Sequence, residues 1–134
     1  MDEKFFCAVK ALIFTDDKFL IVKRSLEARG DPHSWEFPGG RIEFKESPET
    51  AIVREVKEEL NLDIVESDLS IKGTIYRSDE EMLFIIFEST KLITEDVEFN
   101  LQADEITDFQ FAQVQNVTPL LSSYYSDFWH QNYL

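Results

Sequence analysis

Glu55, Glu58 and Glu59 stand three and four residues apart in a stretch with helical periodicity, so their side chains share one helix face. A solvated acidic face more often sets a lysine four residues from a glutamate. Here the residue four after Glu55 is Glu59. Two carboxylates roughly 6 Å apart repel by about 3 kcal/mol at an effective dielectric of about 20, but only by a few tenths when fully hydrated. At about 100° per residue, Ile52, Val53, Val56 and Leu60 form an apolar stripe beside the acids and dry them in part. Ala51, one turn before Glu55, is expected to leave open space above them. A hard cation between the oxygens relieves the repulsion, and Mg²⁺ takes one or two carboxylates together with substrate phosphates.

The elements that must position these acids can be read around them. Ser47 suits the N-cap and Pro48 the first helical position, where its missing N–H would be unpaired anyway. Glu49 falls in the first turn, where the helix dipole favours negative charge. The helix is expected to end at Leu60, with Asn61 in the left-handed position that glycine fills most often and asparagine next. Upstream, Phe5–Phe14 and Phe19–Lys23 read as a hairpin turning at Thr15-Asp16-Asp17-Lys18. Residues 25–34 are polar, with Gly30-Asp31-Pro32 as a loop signal, and Trp35-Glu36-Phe37 is short and extended before Pro38-Gly39-Gly40. Downstream, residues 62–66 suggest a brief strand, Ile71–Arg77 and Met82–Ser89 stronger ones, and Phe109–Val114 the last. Thr90–Asp104 is polar and unpatterned, and Thr118-Pro119 opens a C-terminal helix. Strands mixed with two helices imply an α/β or α+β sandwich around one sheet.

Composition excludes several classes. The 134 residues suit one domain, and 43% hydrophobic residues suffice for a core. A net charge of −14, from 13 basic and 27 acidic residues, argues against non-specific nucleic-acid binding, which runs on phosphate neutralisation by Lys and Arg. Any anionic ligand needs a local attractor, and a bound divalent cation is one. The longest apolar runs, such as Phe5–Val9 and Met82–Phe87, are too short to span a bilayer. No basic start with an apolar run follows the N-terminus, and Cys7 is the only cysteine, so a cytoplasmic home is expected. Cys7 itself reads as a small buried hydrophobe.

The run Gly40, five residues, Glu46, seven residues, then Arg54-Glu55-Val56-Lys57-Glu58-Glu59-Leu60-Asn61-Leu62 resembles the Nudix box. Only Asn61 departs from the pattern, where the family has glycine; the capping argument makes that exchange tolerable. The box covers residues 40–62, and Trp35-Glu36-Phe37-Pro38-Gly39-Gly40 and the hairpin ending Val22-Lys23-Arg24 are similar to the MutT-like branch. The resemblance implies a single α/β domain, a Nudix-type α/β/α sandwich with a mixed sheet. It implies a Mg²⁺- or Mn²⁺-dependent hydrolase of nucleoside diphosphates linked to another moiety. A nucleoside triphosphate is the first expectation for that substrate, with ADP-ribose or a dinucleoside polyphosphate as the runner-up. It assigns the metal to Glu55, Glu58, Glu59 and the Gly39 carbonyl, and pairs Arg54 with Glu46 to brace the loop against the helix. Asp104-Glu105-Ile106-Thr107-Asp108-Phe109 resembles the stretch that supplies a general base; Glu105 is the choice, with Asp96, Glu98 and Asp104 as rivals.

Other residues keep two readings. Arg24 binds a substrate phosphate or solvates a strand edge. Trp35 and Phe37 stack on a base or belong to the core. Tyr124, Tyr125, Phe128, Trp129 and Tyr133 pack the last helix, make a dimer contact or wall the substrate, so monomer and homodimer both stay open. His33 and His130 read as surface histidines. Two other classes compete with the enzyme: a nucleotide sensor without catalysis, which an eroded box would favour, and a Ca²⁺-binding acidic domain, for which no D-x-D-x-D-G loop is present.

Overall fold

The computed structural model describes residues 3–25, 35–102, 104–116, 120–121 and 123–133. In chain order the strands are β1 (Phe6–Leu12), β2 (Phe14–Thr15), β3 (Lys18–Arg24), β4 (Trp35–Glu36), β5 (Gly39–Arg41), β6 (Leu69–Arg77), β7 (Met82–Ser89) and β8 (Ile106–Gln113). Helix α1 (Pro48–Leu60) lies between β5 and β6, and α2 (Ser123–Tyr133) follows β8. One sheet runs β5-β1-β7-β6 and is mixed: β1 is parallel to β7, and the outer pairs are antiparallel. This is the mixed sheet the resemblance implied, but the single sheet expected from the order of elements is corrected to two, because the strands divide between two sets of partners. A second, antiparallel sheet joins β3 to β2, β4 and β8.

The two sheets arise where the chain changes partner at Ile13, between β1 and β2. The expected hairpin therefore shrinks to β2 and β3, which turn at Asp16 with φ 44°. Most of the predicted first strand is instead central in the other sheet. The reason is its composition. Ala8 and Leu12 pack into one apolar cluster, and Val9, Ala11 and Ile13 into another. A strand apolar on both faces is stable only when both faces are covered. Helix α1 covers one side through Ala51, Ile52, Val56 and Leu60, and α2 the other through Tyr125, Phe128 and Trp129.

Helix α1 has the predicted ends. The Ser47 hydroxyl accepts the Thr50 N–H at 3.1 Å, and Asn61 closes the helix at φ 56°, ψ 34°, donating its N–H to the Lys57 carbonyl at 2.9 Å. Two details differ. Ala51 is fully buried, so no open space lies above it, and Val53 is only half-buried. Residues 62–66 form no strand; the chain is irregular there and makes one 3₁₀ turn at Glu66–Asp68 on its way to the sheet edge at β6. Cys7 is half-buried. The Trp129 and Phe19 rings stack with centroids 3.8 Å apart, so the aromatic C-terminus packs α2 down. The predicted cap at Thr118-Pro119 and the loop signal at Gly30-Asp31-Pro32 lie outside the described residues, as does His33. No described helix is long and apolar enough to cross a membrane.

Candidate active site

Gly39 and Gly40 open strand β5 and set the geometry. Gly39 has φ 147°, and a Cβ there would overlap the Val9 carbonyl oxygen of β1. Its N–H donates to Glu59 Oε1 at 2.9 Å. A Cβ on Gly40 would lie 2.5 Å from Glu55 Oε2. The glycine pair thus leaves the space into which two acids of α1 extend. Glycine is required here because backbone and carboxylate approach closely.

The three acids differ sharply in exposure. Glu59 is 3% exposed, Glu55 half-buried and Glu58 exposed. Burial raises the Glu59 pKa from 4.5 to about 8, opposed by Lys10 and reinforced by Glu55. Glu55 is raised for the same first reason, with Arg54 pulling it down and Glu58 adding a smaller upward push. Drying is therefore the main cause and like-charge repulsion a lesser one, a reversal of the weight placed on repulsion from spacing alone. The second oxygen of Glu59 is buried without a hydrogen-bond partner. Such an atom is costly unless something arrives to use it.

Arg54 organises the rest. Its Nε and Nη2 meet Glu46 Oε2 and Oε1 at 2.7 and 2.8 Å, a bidentate pair. The same guanidinium reaches Glu55 at 3.0 Å, Glu58 at 3.2 Å and the Arg41 carbonyl at 3.1 Å. The hydrogen bonds from Arg54 hold the Glu46 carboxyl down at about 2. Among the described residues, no three acidic, histidine or cysteine side chains are gathered as a ligand cluster. The expected convergence of the glutamates gives way to Glu55 and Glu58 resting on Arg54 and Glu59 on the Gly39 N–H. Hard carboxylate oxygens and a peptide carbonyl are the donors that Mg²⁺ or Mn²⁺ takes, and the orphaned Glu59 oxygen fits such an ion.

Gly39, Gly40, Glu55, Glu58 and Glu59, but not Arg54 or Glu46, line a cavity of about 910 Å³ that also holds Lys10, Arg24, Glu36, Asp104, Glu105 and Tyr125. The unpatterned loop read over Thr90–Asp104 reaches it by capping α1: Asn100 and Gln102 donate their N–H groups to the Leu60 and Glu59 carbonyls at 3.0 and 2.9 Å. Glu105 then stands 3.5 Å from Arg24. Asp96 and Glu98 do not line the cavity. Arg24 is inside it, 3.2 Å from Glu36, and does not solvate an edge.

Two assignments need correction. Phe37 is 0% exposed, wedged between Phe19 and Tyr125, and has no surface to offer a substrate. Trp35 is half-buried, carries Lys23 over its ring and is not on the cavity. Tyr125 does two of the three jobs left open for the aromatic tail, packing α2 and walling the cavity. His130 is exposed on α2. Sequence reasoning missed Lys10, Glu36, Arg77 and Glu80 on the cavity. A signal existed for the first two: a lysine within the apolar run of β1, and a glutamate between Trp35 and Phe37.

The NUDIX domain family profile matches residues 4–128. An 8-oxo-dGTP diphosphatase of Proteus vulgaris is 49% identical over 35 residues, 26% of this chain and 31% of that protein. An RNA pyrophosphohydrolase of Nitratiruptor sp. is 41% identical over 59 residues, 43% of this chain and 38% of that protein. The chain spans about a third of the length of these curated relatives. The crystal structure of a MutT protein from Methanosarcina mazei shares the fold with a TM-score of 0.84, covering 98% of this chain and 94% of that one at 23% identity. With a match from residue 4 to residue 128, the chain belongs to the NUDIX domain family.

Proposed function

We propose that this protein is a divalent-metal-dependent pyrophosphohydrolase that cleaves a P–O–P bond in a nucleoside diphosphate linked to another moiety, with nucleoside triphosphates, oxidised ones included, as the first substrate class. The observation that carries this reading is the buried, unpartnered oxygen of Glu59 on the cavity wall beside Gly39 and Glu55. Glu55, Glu58, Glu59 and the Gly39 carbonyl would hold the metal. Mg²⁺ or Mn²⁺ there supplies Lewis-acid neutralisation of the diphosphate charge.

The chain's own residues do the rest. Arg54, anchored by Glu46, holds Glu55 and Glu58 in place and would orient them as metal ligands. Glu105, on the cavity, accepts a proton from the attacking water. The water oxygen bonds to phosphorus, the bridging P–O bond breaks, and its electron pair leaves with the departing phosphate or pyrophosphate. Arg24, fixed by Glu36, offsets charge on that group. Tyr125, Met82 and Phe84 supply the apolar wall a base needs. The net charge of −14 disfavours polynucleotides and makes a metal-screened free nucleotide the better fit.

The test is release of hydrolysis products, separated by chromatography as nucleotide, sugar phosphate, pyrophosphate or phosphate, from nucleoside triphosphates, oxidised guanine nucleotides, ADP-ribose and dinucleoside polyphosphates, with Mg²⁺, Mn²⁺ or EDTA. Metal-dependent release from the triphosphates supports the proposal. Release from ADP-ribose or the dinucleotides alone moves the substrate class, and release from none rejects hydrolysis.

A further inference from the structure

Lys10 is out of place in its strand. It sits in β1 between neighbours that pack into the core, Ala8 and Leu12 on its own face, and is 3% exposed. An ammonium in such surroundings is stable only with partners. It has two. Its Nζ donates to Glu36 Oε1 at 2.7 Å and to the Gly39 carbonyl oxygen at 3.5 Å. The pairing is built into the sheet, because Lys10 and Gly39 are directly opposite on β1 and β5. Gly39 is thereby held at both ends of one residue: its N–H on Glu59 at 2.9 Å, its carbonyl on Lys10.

We propose that Lys10 is the site's resident counter-cation, holding the Gly39 carbonyl and Glu36 in the metal-free protein and competing with the divalent metal for that carbonyl. The inference rests on the reading that Gly39 and the box glutamates bind metal. The carbonyl oxygen is the shared atom. Lys10 is 3.5 Å from it. A metal ligated by that oxygen would be about 2.1 Å from it, so the two cations would stand no more than about 6 Å apart. At that separation a divalent ion and an ammonium repel strongly in a site this dry. Lys10 therefore sets metal affinity below what the acids alone would give, and keeps the acid-rich cavity neutralised while it waits. On metal entry the ammonium would leave the Gly39 carbonyl and keep Glu36, which it already meets at 2.7 Å and which Arg24 holds at 3.2 Å.

A structural role and a counter-cation role predict opposite signs. If Lys10 merely props up the Gly39 turn, removing it loosens the metal; if it competes, removing it tightens the metal. The experiment measures the Mn²⁺ dissociation constant of wild type and Lys10→Met by electron paramagnetic resonance of free Mn²⁺, without substrate. The expected result is binding about tenfold tighter or more in the variant. Unchanged or weaker Mn²⁺ binding overturns the inference alone. No Mn²⁺ binding to the wild type overturns it together with the metal reading beneath it. Should Lys10→Met not fold, wild type with ¹⁵N-labelled lysine decides: Mg²⁺ must shift the Lys10 ammonium resonance, and an unmoved resonance in Mg²⁺-bound protein refutes the competition.

Discussion

Exchanging Glu59 for glutamine removes the charge of this carboxylate while keeping its shape. In the fold, one oxygen accepts the Gly39 N–H at 2.9 Å and the other is buried without a partner. Burial raises the pKa from 4.5 to about 8. An acid raised in this way stabilises the fold fully below its unfolded pKa, and that contribution is lost as pH climbs through the folded pKa. For metal-free protein the loss therefore runs from 4.5 to about 8. Linkage across about pH 5.5 to 8 removes on the order of 3 kcal/mol. Glu59→Gln cannot ionise and keeps its acceptor for Gly39, so it escapes that loss. Urea denaturation in EDTA should find the two proteins within about 1 kcal/mol near pH 5.5, with the variant more stable by about 2–3 kcal/mol near pH 8. Saturating Mg²⁺ should erase the wild-type deficit, because the ion holds Glu59 charged. Hydrolysis should fall about a hundredfold or more in the variant. Parallel pH slopes for the two metal-free proteins would refute the burial argument, and an undiminished rate would remove Glu59 from the chemistry.

Gly40→Ala places a Cβ 2.5 Å from Glu55 Oε2, so isothermal titration should show Mg²⁺ binding weakened about tenfold or more with little change in melting temperature. Arg54→Met strips Glu46 of its bidentate partner and should cost about 2–3 kcal/mol in urea denaturation. The pH profile of that loss has a definite sign: Glu46 is held down at about 2, so the pair's stabilisation is complete above 4.5 and disappears as pH falls toward 2 in the wild type only. Glu105→Gln should lower kcat about a hundredfold at unchanged KM, whereas Asp96→Asn, off the cavity, should leave both alone in the same hydrolysis assay. Asn61→Gly should keep full activity and raise stability by about 0.5 kcal/mol, since Asn61 already adopts φ 56°; a slower enzyme would reveal a role for its side chain.

The parts legible in sequence are those whose causes are local. Ser47, Pro48 and Asn61 mark both ends of α1 because caps act within a few residues. Strand β7 was bounded as Met82–Ser89 for the same reason, a β-rich apolar run between polar turns. Where partners are distant, the reading failed. Nothing within Phe5–Phe14 says that Phe6–Leu12 pairs with Met82–Glu88 and Phe14 with Phe19. Phe37 and Tyr125 are both aromatic and both buried, 0% and 1% exposed, yet only Tyr125 borders the cavity, a choice made by α2 packing.

By itself the chain order determined which acids share a helix face, where that helix stops, and that glycines precede it, since periodicity, capping and φ preference are properties of neighbouring residues. Only the tertiary structure decided which acid is dry. Glu58 and Glu59 are adjacent in sequence, but Glu59 is buried with its carboxylate on the Gly39 N–H of β5 and its backbone carbonyl on Gln102, while Glu58 stays exposed. The same packing brought Lys10 and Glu105 to one cavity from opposite ends of the chain. Desolvation depends on what covers a group in space, and spacing along a chain carries no record of that.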